Sequence, residues 1–285
     1  MAADTDPAGP GEDHGRPDRF RGHGGTGGEE CAPMRVGDTG WVLDVCVVHA
    51  EVTVPGRVGR SAIDKRPVLG RVAARRLGLV GDHVCNTEYH GGVDQAVYAY
   101  AEEDARGWAD ELGRELPSGW FGENLRLGGL PVSDAVVGAH WVIGDALFEV
   151  SAPRVPCATF GYWSGERQWV RRFALRANTG CYLRVLEEGA VGAGDRVEIV
   201  HVPEHGITVR DVFTGHDPAL LDRLLVVEPS ISDDIRTQIA RRARRGSGTA
   251  ASTGVDGADT REGVGSAGGQ PSSGGTNTAS ATEVR

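Results

Sequence analysis

The first candidate for chemistry in the sequence is the thiol of Cys157, which ends the segment Ser151–Cys157 (SAPRVPC). Pro153 and Pro156 fix φ and remove two backbone donors, so the segment is stiff and extended. Arg154 lies three residues before the cysteine, and a neighbouring guanidinium favours thiolate over thiol. The thiolate is the form that attacks electrophiles and ligates soft metals. The segment therefore predicts a nucleophile or a metal ligand at Cys157, with a buried and inert cysteine as the alternative.

A second group of potential ligands is formed by His83, Cys85 and His90. Their spacing is compatible with zinc, although a structural zinc site normally has a second pair of ligands, and the sequence contains no CxxC pair. Gly91 and Gly92 follow His90 and indicate either a tight turn or a loop whose backbone approaches a ligand. The spacing alone leaves these interpretations open.

The elements that must position these residues are mainly strands. Trp41–Val54 is a continuous β-branched run, which indicates a buried strand or strand pair, and Trp141–Val150 reads as a hairpin with Gly144-Asp145 at its turn. Further elements are expected as strands over 181–186 and 195–202 and as helices over 101–115, 165–175, 219–227 and 232–245. The pattern predicts a mainly β fold with inserted short helices and a small C-terminal helical segment.

Both ends of the chain differ in composition from its centre. Residues 1–38 are rich in Gly, Pro and acidic residues, and residues 246–285 are rich in Gly, Ser and Thr and contain no aromatic residue. Neither segment can bury enough apolar surface to offset the entropy of ordering it, so both are expected to be disordered. The remainder, roughly 200 residues, is enough for one sizeable core.

Charge and cysteine content narrow the functional classes. The net charge of −10 lies partly in the two terminal segments, and no strong basic patch indicates nucleic-acid binding. Five widely spaced cysteines argue against a disulfide framework and for a reducing compartment. No signal peptide or membrane-spanning run is visible in the sequence. These features predict a cytoplasmic protein that binds neither nucleic acid nor a membrane.

Six segments, taken together and in this order, resemble the MOSC family (molybdenum cofactor sulfurase C-terminal domain). They are Gly59–Lys65, Gly78–Asp82, His90–Val97, Phe121–Leu125, Pro153–Cys157 and Tyr182–Gly189. The resemblance extends over residues 41–213, leaving 214–245 as a helical tail, and it is strongest to the stand-alone bacterial YiiM-like branch. One departure is Gln95, where many members of the family carry Lys.

The resemblance implies a β-barrel-like fold that binds a pyranopterin molybdenum cofactor. It implies that Cys157 is the protein ligand to molybdenum, and that the cofactor-binding residues are Arg60, Ser61, Lys65, His90, Asn124, Arg154 and Cys157 itself. His90 is the candidate acid near the metal. Members with known activity reduce N-hydroxylated compounds such as hydroxylaminopurines and amidoximes. Because the sequence shows no flavin, haem or iron–sulfur motif, the electrons are expected to come from a separate reductase.

Two alternatives accompany this interpretation. The chain could be a non-catalytic carrier, in which Cys157 holds a persulfide or hands the cofactor to another enzyme. A pyridoxal phosphate role has been inferred for the family from fusion proteins. Lys65 is the only lysine of the chain and hence the only residue available for a Schiff base. We rank pyridoxal phosphate below the other two hypotheses.

Overall fold

The computed structural model describes residues 34–56, 58–85, 87, 91–228, 231, 236–237 and 239–240. Three features of the sequence interpretation lie outside these residues. They are His90, the terminal segments 1–33 and 246–285, and most of the helix predicted over 232–245. Among the described residues, no helix has the length and apolar character needed to cross a membrane.

Within the described part of the chain, strands dominate. The strands are β1 (Thr39–Thr53), β2 (Arg60–Pro67), β3 (Arg71–Arg75), β4 (Gly78–Leu79), β5 (Val97–Ala101), β6 (Leu125–Gly128), β7 (His140–Ile143), β8 (Ala146–Pro153), β9 (Cys181–Glu187), β10 (Gly189–Gly192) and β11 (Arg196–His201). The α-helices are α1 (Glu102–Leu112), α2 (Ala158–Ser164), α3 (Trp169–Arg176), α4 (Val209–Thr214) and α5 (Pro218–Val227).

Seven of the strands close into a barrel. Their order is β1, β6, β5, β9, β8, β7 and β11, and the pairing of β11 with β1 completes the ring. Neighbours are antiparallel except for β5 and β6, which run parallel. A parallel pair needs a crossover connection, and α1 lies in the segment that provides it. The prediction of a mainly β, barrel-like fold with inserted short helices is confirmed.

β1 belongs to two structures along its length. Residues Thr39–Val45 pair with β11 and β6 in the barrel, whereas Cys46–Thr53 pair with β2 in an outer hairpin. The outer hairpin contains two register shifts, between Val48 and Ala50 and between Ala50 and Val52. Bulges of this kind bend a strand and increase its twist. The bend carries β2 away from the barrel, where it forms part of the cavity lining.

The barrel interior is filled by aliphatic side chains. Val42, Leu125, Val150 and Leu183 come from four strands and are almost fully buried in one cluster. The cluster also includes residues on either side of the barrel strands in the sequence, namely Met34, Leu221 and Leu224. Met34 comes from the segment predicted as a tail, and the two leucines come from the predicted helical segment. Both segments therefore contribute to the same core as the barrel.

A second core lies between the barrel and helices α1, α2 and α3. We call it the aromatic cluster, and its rings are Tyr98, Tyr100, Trp108, Phe121, Phe160, Trp169 and Phe173. The rings of Tyr100 and Phe121 stack with 4.2 Å between their centroids, and those of Phe160 and Phe173 meet edge to face at 5.1 Å. Such arrangements add about 0.5–1.5 kcal/mol per pair beyond burial. The cluster forms a rigid base for the segment that follows β8.

The predicted hairpin over 141–150 is confirmed as β7 and β8, and the helix over 101–115 is confirmed as α1. The helix expected over 165–175 begins later, at Trp169, and a separate helix, α2, occupies Ala158–Ser164. α2 begins directly after Cys157 and ends at Gly165, whose φ of 69° suits glycine. The consequence for function is that Cys157 lies at a strand-to-helix corner.

Candidate functional site

A large cavity lies between the outer hairpin, the segment after β4 and the corner between β8 and α2. Its volume is about 910 Å³, at the upper end of the range for small-molecule sites. The predicted site residues that the structure describes all line it, namely Arg60, Ser61, Lys65, Asn124, Arg154 and Cys157. Residues from three separate parts of the sequence are thus brought to one cavity. Their individual roles stay predictions.

Cys157 lies at the corner between β8 and α2. Its backbone is extended, with φ −121° and ψ 171°, and its carbonyl accepts the first helical hydrogen bond from the amide of Gly161 at 3.0 Å. The side chain is half-buried, packs against the aromatic cluster on one side and lines the cavity on the other. A sulfur atom held at such a corner is accessible to a ligand while its backbone is fixed on both sides.

Arg154 is the most unusual side chain of the cavity. The residue is only 6 % exposed, and its guanidinium carbon lies 4.0 Å from the centroid of the Phe160 ring and 5.8 Å from that of Tyr98. Its Nη1 atom is buried and has no hydrogen-bond partner among the described residues. A guanidinium cannot lose its charge in a protein. A buried donor that has no hydrogen-bond partner costs about 1–3 kcal/mol of stability, and more when it is charged. The geometry therefore calls for an acceptor, preferably anionic, supplied by a ligand.

Gln95 provides a second unsatisfied atom in the same lining. It ends the short 3₁₀ turn Val93–Gln95, and its Oε1 is buried without a hydrogen-bond partner in the described structure. An amide oxygen accepts hydrogen bonds, so this position suits an N–H or O–H group of a ligand. Arg154 and Gln95 together present a donor and an acceptor that no described residue of the chain engages.

Lys65 and Asn124 are held very differently, by the carboxylate of Asp82. Lys65 Nζ donates to Asp82 Oδ2 at 2.5 Å, and Asn124 Nδ2 donates to the same oxygen at 2.8 Å. Asp82 Oδ1 accepts from the backbone amide of Val48 at 2.9 Å. One carboxylate thus ties together β1, β2 and the residue that precedes β6.

Asn124 has no unused hydrogen-bonding group. Its Oδ1 accepts from the amide of Tyr98 at 3.0 Å, and its Nδ2 also donates to the carbonyl of Cys46 at 3.2 Å. A side chain with its oxygen and both amide hydrogens engaged positions its neighbours. Asn124 thus lines the cavity and connects β1 to β5 by hydrogen bonds to the backbone of Cys46 and Tyr98.

Arg60 lies at the edge of the cavity and is largely exposed. Its Nη2 forms an ion pair with Glu51 Oε2 at 2.8 Å, and Glu51 Oε1 lies 2.9 Å from Nε2 of His83. The contact with His83 is the main reason that the pKa of Glu51 is lowered. Burial and then the neighbouring Glu51 raise the pKa of the Cys85 thiol. His83 and Cys85 are recognisable in the sequence as potential ligands, whereas Glu51 is not, because it lies over thirty residues earlier in the chain.

Asp82 is a site residue that the sequence prediction missed, and Gln95 was predicted only as a departure from the family. Asp82 is the last residue of one of the six segments, so its carboxylate was the signal to use. Two tyrosines, Tyr98 and Tyr182, line the cavity as well, and burial raises the pKa of both phenols. Nothing in their spacing identifies them as cavity residues.

The donor set of the cavity fits the cofactor that the sequence resemblance implies. A thiolate is a soft ligand suited to a soft metal, and Cys157 provides the sulfur. The buried guanidinium of Arg154 needs an anion, and the unsatisfied oxygen of Gln95 needs an N–H donor. A phosphorylated, nitrogen-rich pterin carries both kinds of group. The residues present therefore fit a pyranopterin molybdenum cofactor.

Comparisons with known proteins agree with this architecture. The MOSC domain family matches residues 86–198. The uncharacterized protein YflK of Bacillus subtilis is 31 % identical over 194 residues, which cover 67 % of this chain and 88 % of YflK. A protein named Reductase from Gibberella moniliformis is 29 % identical over 147 residues, but these make up 50 % of this chain and only 26 % of that protein.

The fold comparison gives the same result. The crystal structure of YiiM from Geobacillus stearothermophilus superimposes with a TM-score of 0.59 at 26 % identity, covering 72 % of this chain and 99 % of YiiM. On the family match, the relationship to YflK and the shared fold, this chain belongs to the YiiM-like branch of the MOSC domain family.

Proposed function

We propose that this protein binds a molybdenum cofactor in its cavity and reduces N-hydroxylated compounds, such as hydroxylaminopurines and amidoximes, with electrons from a separate reductase. The observation that supports the proposal most strongly is the buried Nη1 of Arg154, which has no hydrogen-bond partner in the part of the chain that the structure describes and which lies three residues from Cys157 in a cavity of about 910 Å³. The similarity to a protein named Reductase supports the oxidoreductase class.

In this proposal Cys157 is the ligand to molybdenum. Arg154 binds an anionic group of the cofactor, and Gln95 accepts a hydrogen bond from one of its N–H groups. The bound cofactor supplies two-electron redox chemistry at its metal. The protein contributes position and charge, because the aromatic cluster fixes Arg154 and the corner between β8 and α2 fixes Cys157.

The overall reaction requires protons as well as electrons. Conversion of R–NHOH to R–NH₂ and water consumes two electrons and two protons, and cleavage of the N–O bond is assisted when the leaving hydroxyl is protonated. His90 is the proposed acid. It lies outside the described residues, directly before Gly91 and Gly92, both of which line the cavity.

Metal analysis of the Cys157→Ser variant tests the proposal. Wild-type protein from a host that makes molybdopterin is expected to contain close to one molybdenum per chain, and Cys157→Ser is expected to lose most of it. Cys85→Ser is a matched control, because Cys85 is a second cysteine of the cavity lining and is exposed. It is expected to retain molybdenum. Equal molybdenum contents in the two variants would contradict the assignment of Cys157.

Turnover distinguishes an enzyme from a carrier. Purified wild-type protein with an artificial electron donor should convert a hydroxylamine substrate to the amine over many cycles. A protein that retains molybdenum in a Cys157-dependent way but completes no more than one cycle would be a cofactor or sulfur carrier. Borohydride reduction with pyridoxal phosphate tests the third hypothesis. We expect no adduct at Lys65, because its Nζ is engaged by Asp82 in a largely buried ion pair.

A further inference from the structure

Three side chains of different chemistry converge at the edge of the cavity. Glu51 lies near the end of β1, and His83 and Cys85 lie in the segment after β4. One ligand atom from each, a carboxylate oxygen, an imidazole nitrogen and the sulfur, lies within 4.8 Å of the other two. We propose that Glu51, His83 and Cys85 form a binding site for a Zn²⁺ ion, separate from the proposed molybdenum site.

The distances are close to those that zinc requires. With Zn–S near 2.3 Å and Zn–N and Zn–O near 2.0–2.2 Å, two ligand atoms in a tetrahedral site lie roughly 3.3–3.8 Å apart. Glu51 Oε1 and His83 Nε2 are already 2.9 Å apart, so a metal would replace the proton between them with a small expansion. The sulfur lies within 4.8 Å of both other ligand atoms, and all three side chains are exposed and can move to close the site.

The ligand types select the metal. Thiolate and imidazole are poor ligands for Mg²⁺ and Ca²⁺, which prefer oxygen, and a set of one sulfur, one nitrogen and one oxygen suits Zn²⁺. Three protein ligands leave the fourth position of a tetrahedral site for water or for an oxygen donor. His83 and Cys85 line the cavity, so the metal site adjoins the space that we propose for the molybdenum cofactor.

Arg60 is the one neighbour, among the residues described, that could oppose a cation. Its guanidinium contacts Glu51 Oε2, whereas His83 contacts the other oxygen, Oε1. A carboxylate that binds a metal through one oxygen is commonly held by a hydrogen-bond donor on the other, which orients it. The Arg60 side chain is 71 % exposed, so solvent and salt reduce its repulsion of the metal. Its position is that of an orienting partner of Glu51.

The alternative is that Glu51 and His83 form an ordinary surface ion pair, worth about 0–1 kcal/mol, and that Cys85 is merely close to them. The two possibilities differ in the role of the Cys85 sulfur, because it binds the metal in a zinc site and has no role in the ion pair. Exposed cysteines are also uncommon, since cysteine is among the most buried residue types.

The proposal is tested with full-length protein that is prepared without molybdenum cofactor and titrated with Co²⁺. Co²⁺ replaces Zn²⁺ in tetrahedral sites and gives a thiolate-to-cobalt charge-transfer absorption. We expect this absorption to saturate near one equivalent in wild-type protein and in Cys157→Ser, and to be absent in Cys85→Ser. Zn²⁺ added to the cobalt form should abolish it. Zn²⁺ affinity should fall at least about tenfold in His83→Gln, since loss of even an outer partner of a metal ligand costs 10–100-fold.

Other results would overturn the site. They are the absence of a charge-transfer band in folded wild-type protein, a band that persists in Cys85→Ser, or a band that disappears in Cys157→Ser. Because Cys85 is exposed, its serine variant should keep the wild-type circular dichroism spectrum and melting temperature, which shows that a lost band is not lost folding. Molybdenum content should be unaffected in Cys85→Ser. Failure of the zinc site and failure of the proposed reductase function are therefore separately visible.

Discussion

Lys65 and Arg154 are both cations in the lining of one cavity, and both are largely removed from solvent. Lys65 is matched by the carboxylate of Asp82 at 2.5 Å, which also binds Asn124 and the backbone of β1. Arg154 has aromatic faces around it, and its Nη1 has no acceptor among the described residues. The same cavity thus contains one charge that the fold has already satisfied and one that it has not.

The difference separates structural from ligand-binding basic residues. A buried ion pair is complete without a ligand, and removal of one partner leaves an uncompensated charge. A buried guanidinium over aromatic rings gains about 2 kcal/mol or more from cation–π attraction, but this attraction does not supply the hydrogen bonds that its N–H groups lack. Lys65 is therefore part of the framework of the cavity, whereas Arg154 stays the residue that we propose to bind the ligand, although the sequence motifs do not distinguish the two.

The largest expected change in stability comes from breaking the buried ion pair between Lys65 and Asp82. Asp82→Asn places an amide donor against Lys65 Nζ and Asn124 Nδ2 and leaves the ammonium buried without a counter-charge. We expect the free energy of unfolding, measured by urea denaturation, to fall by about 3–5 kcal/mol. Glu188→Gln is the control, because Glu188 is an exposed carboxylate that pairs with Arg75 and accepts a hydrogen bond from the backbone amide of Arg76. It should change the unfolding free energy far less than Asp82→Asn, because solvent screens an exposed ion pair. Equal losses in the two variants would show that the Lys65 pair is not special.

Asp104, a carboxylate outside the cavity, is also largely buried and therefore also bears the cost of removing a charge from water. Asp104 accepts hydrogen bonds from Asn178 and Ser133, and burial, its largest influence, raises its pKa from 3.8 to about 6. Unlike Arg154, it can lose its charge by binding a proton. Because the folded protein binds that proton more tightly than the unfolded chain, its contribution to stability is present below about pH 4 and is lost as the pH rises through about 6.

Asp104→Asn should remove this pH dependence. Between about pH 4 and pH 6, wild-type protein should lose on the order of 2–3 kcal/mol of unfolding free energy relative to the variant. Urea denaturation of both proteins at several pH values measures the difference. A difference that stays constant across this range would mean that Asp104 is charged throughout and that burial does not govern its titration.

The smallest expected change in stability comes from replacing Arg154, and it has the opposite sign. Arg154→Met keeps apolar and sulfur contacts with the aromatic cluster but removes the unpaired donor. In protein made without the molybdenum cofactor, we expect the unfolding free energy to stay constant or to rise by up to about 2 kcal/mol. The same variant, made in a molybdopterin-competent host, should lose most of its molybdenum. A clear loss of stability without cofactor would make Arg154 a framework residue like Lys65 and end the contrast.

Much of the fold could be predicted because its signals are local. The hairpin of β7 and β8 follows from alternating residues around Gly144-Asp145, and α1 follows from helical spacing of its buried face. Helix α2 could not be predicted, because it follows a proline and its N-cap position is a cysteine, a residue type that is not favoured there.

The site was predictable only as a set of residues. The order of the motifs along the sequence groups Arg60, Ser61, Lys65, Asn124, Arg154 and Cys157, and all six line one cavity. Their differences depend on partners far away in the chain. Asp82 lies 17 residues from Lys65 and 42 from Asn124, and Arg154 is buried by rings from β5, α2 and α3. Burial and pairing of this kind are properties of the folded chain.

The division of β1 into a barrel half and an outer half has a mechanical consequence. The two register shifts lie within the outer hairpin, between the Val48–Lys65 pair on the barrel side and the Val52–Ser61 pair farther out. A movement of the part beyond these shifts, which includes Ser61, would be taken up at the irregular positions and would leave the ring of strand pairings intact. The barrel would thus stay fixed, while the outer part of the β1–β2 hairpin could adjust the cavity to ligands of different size.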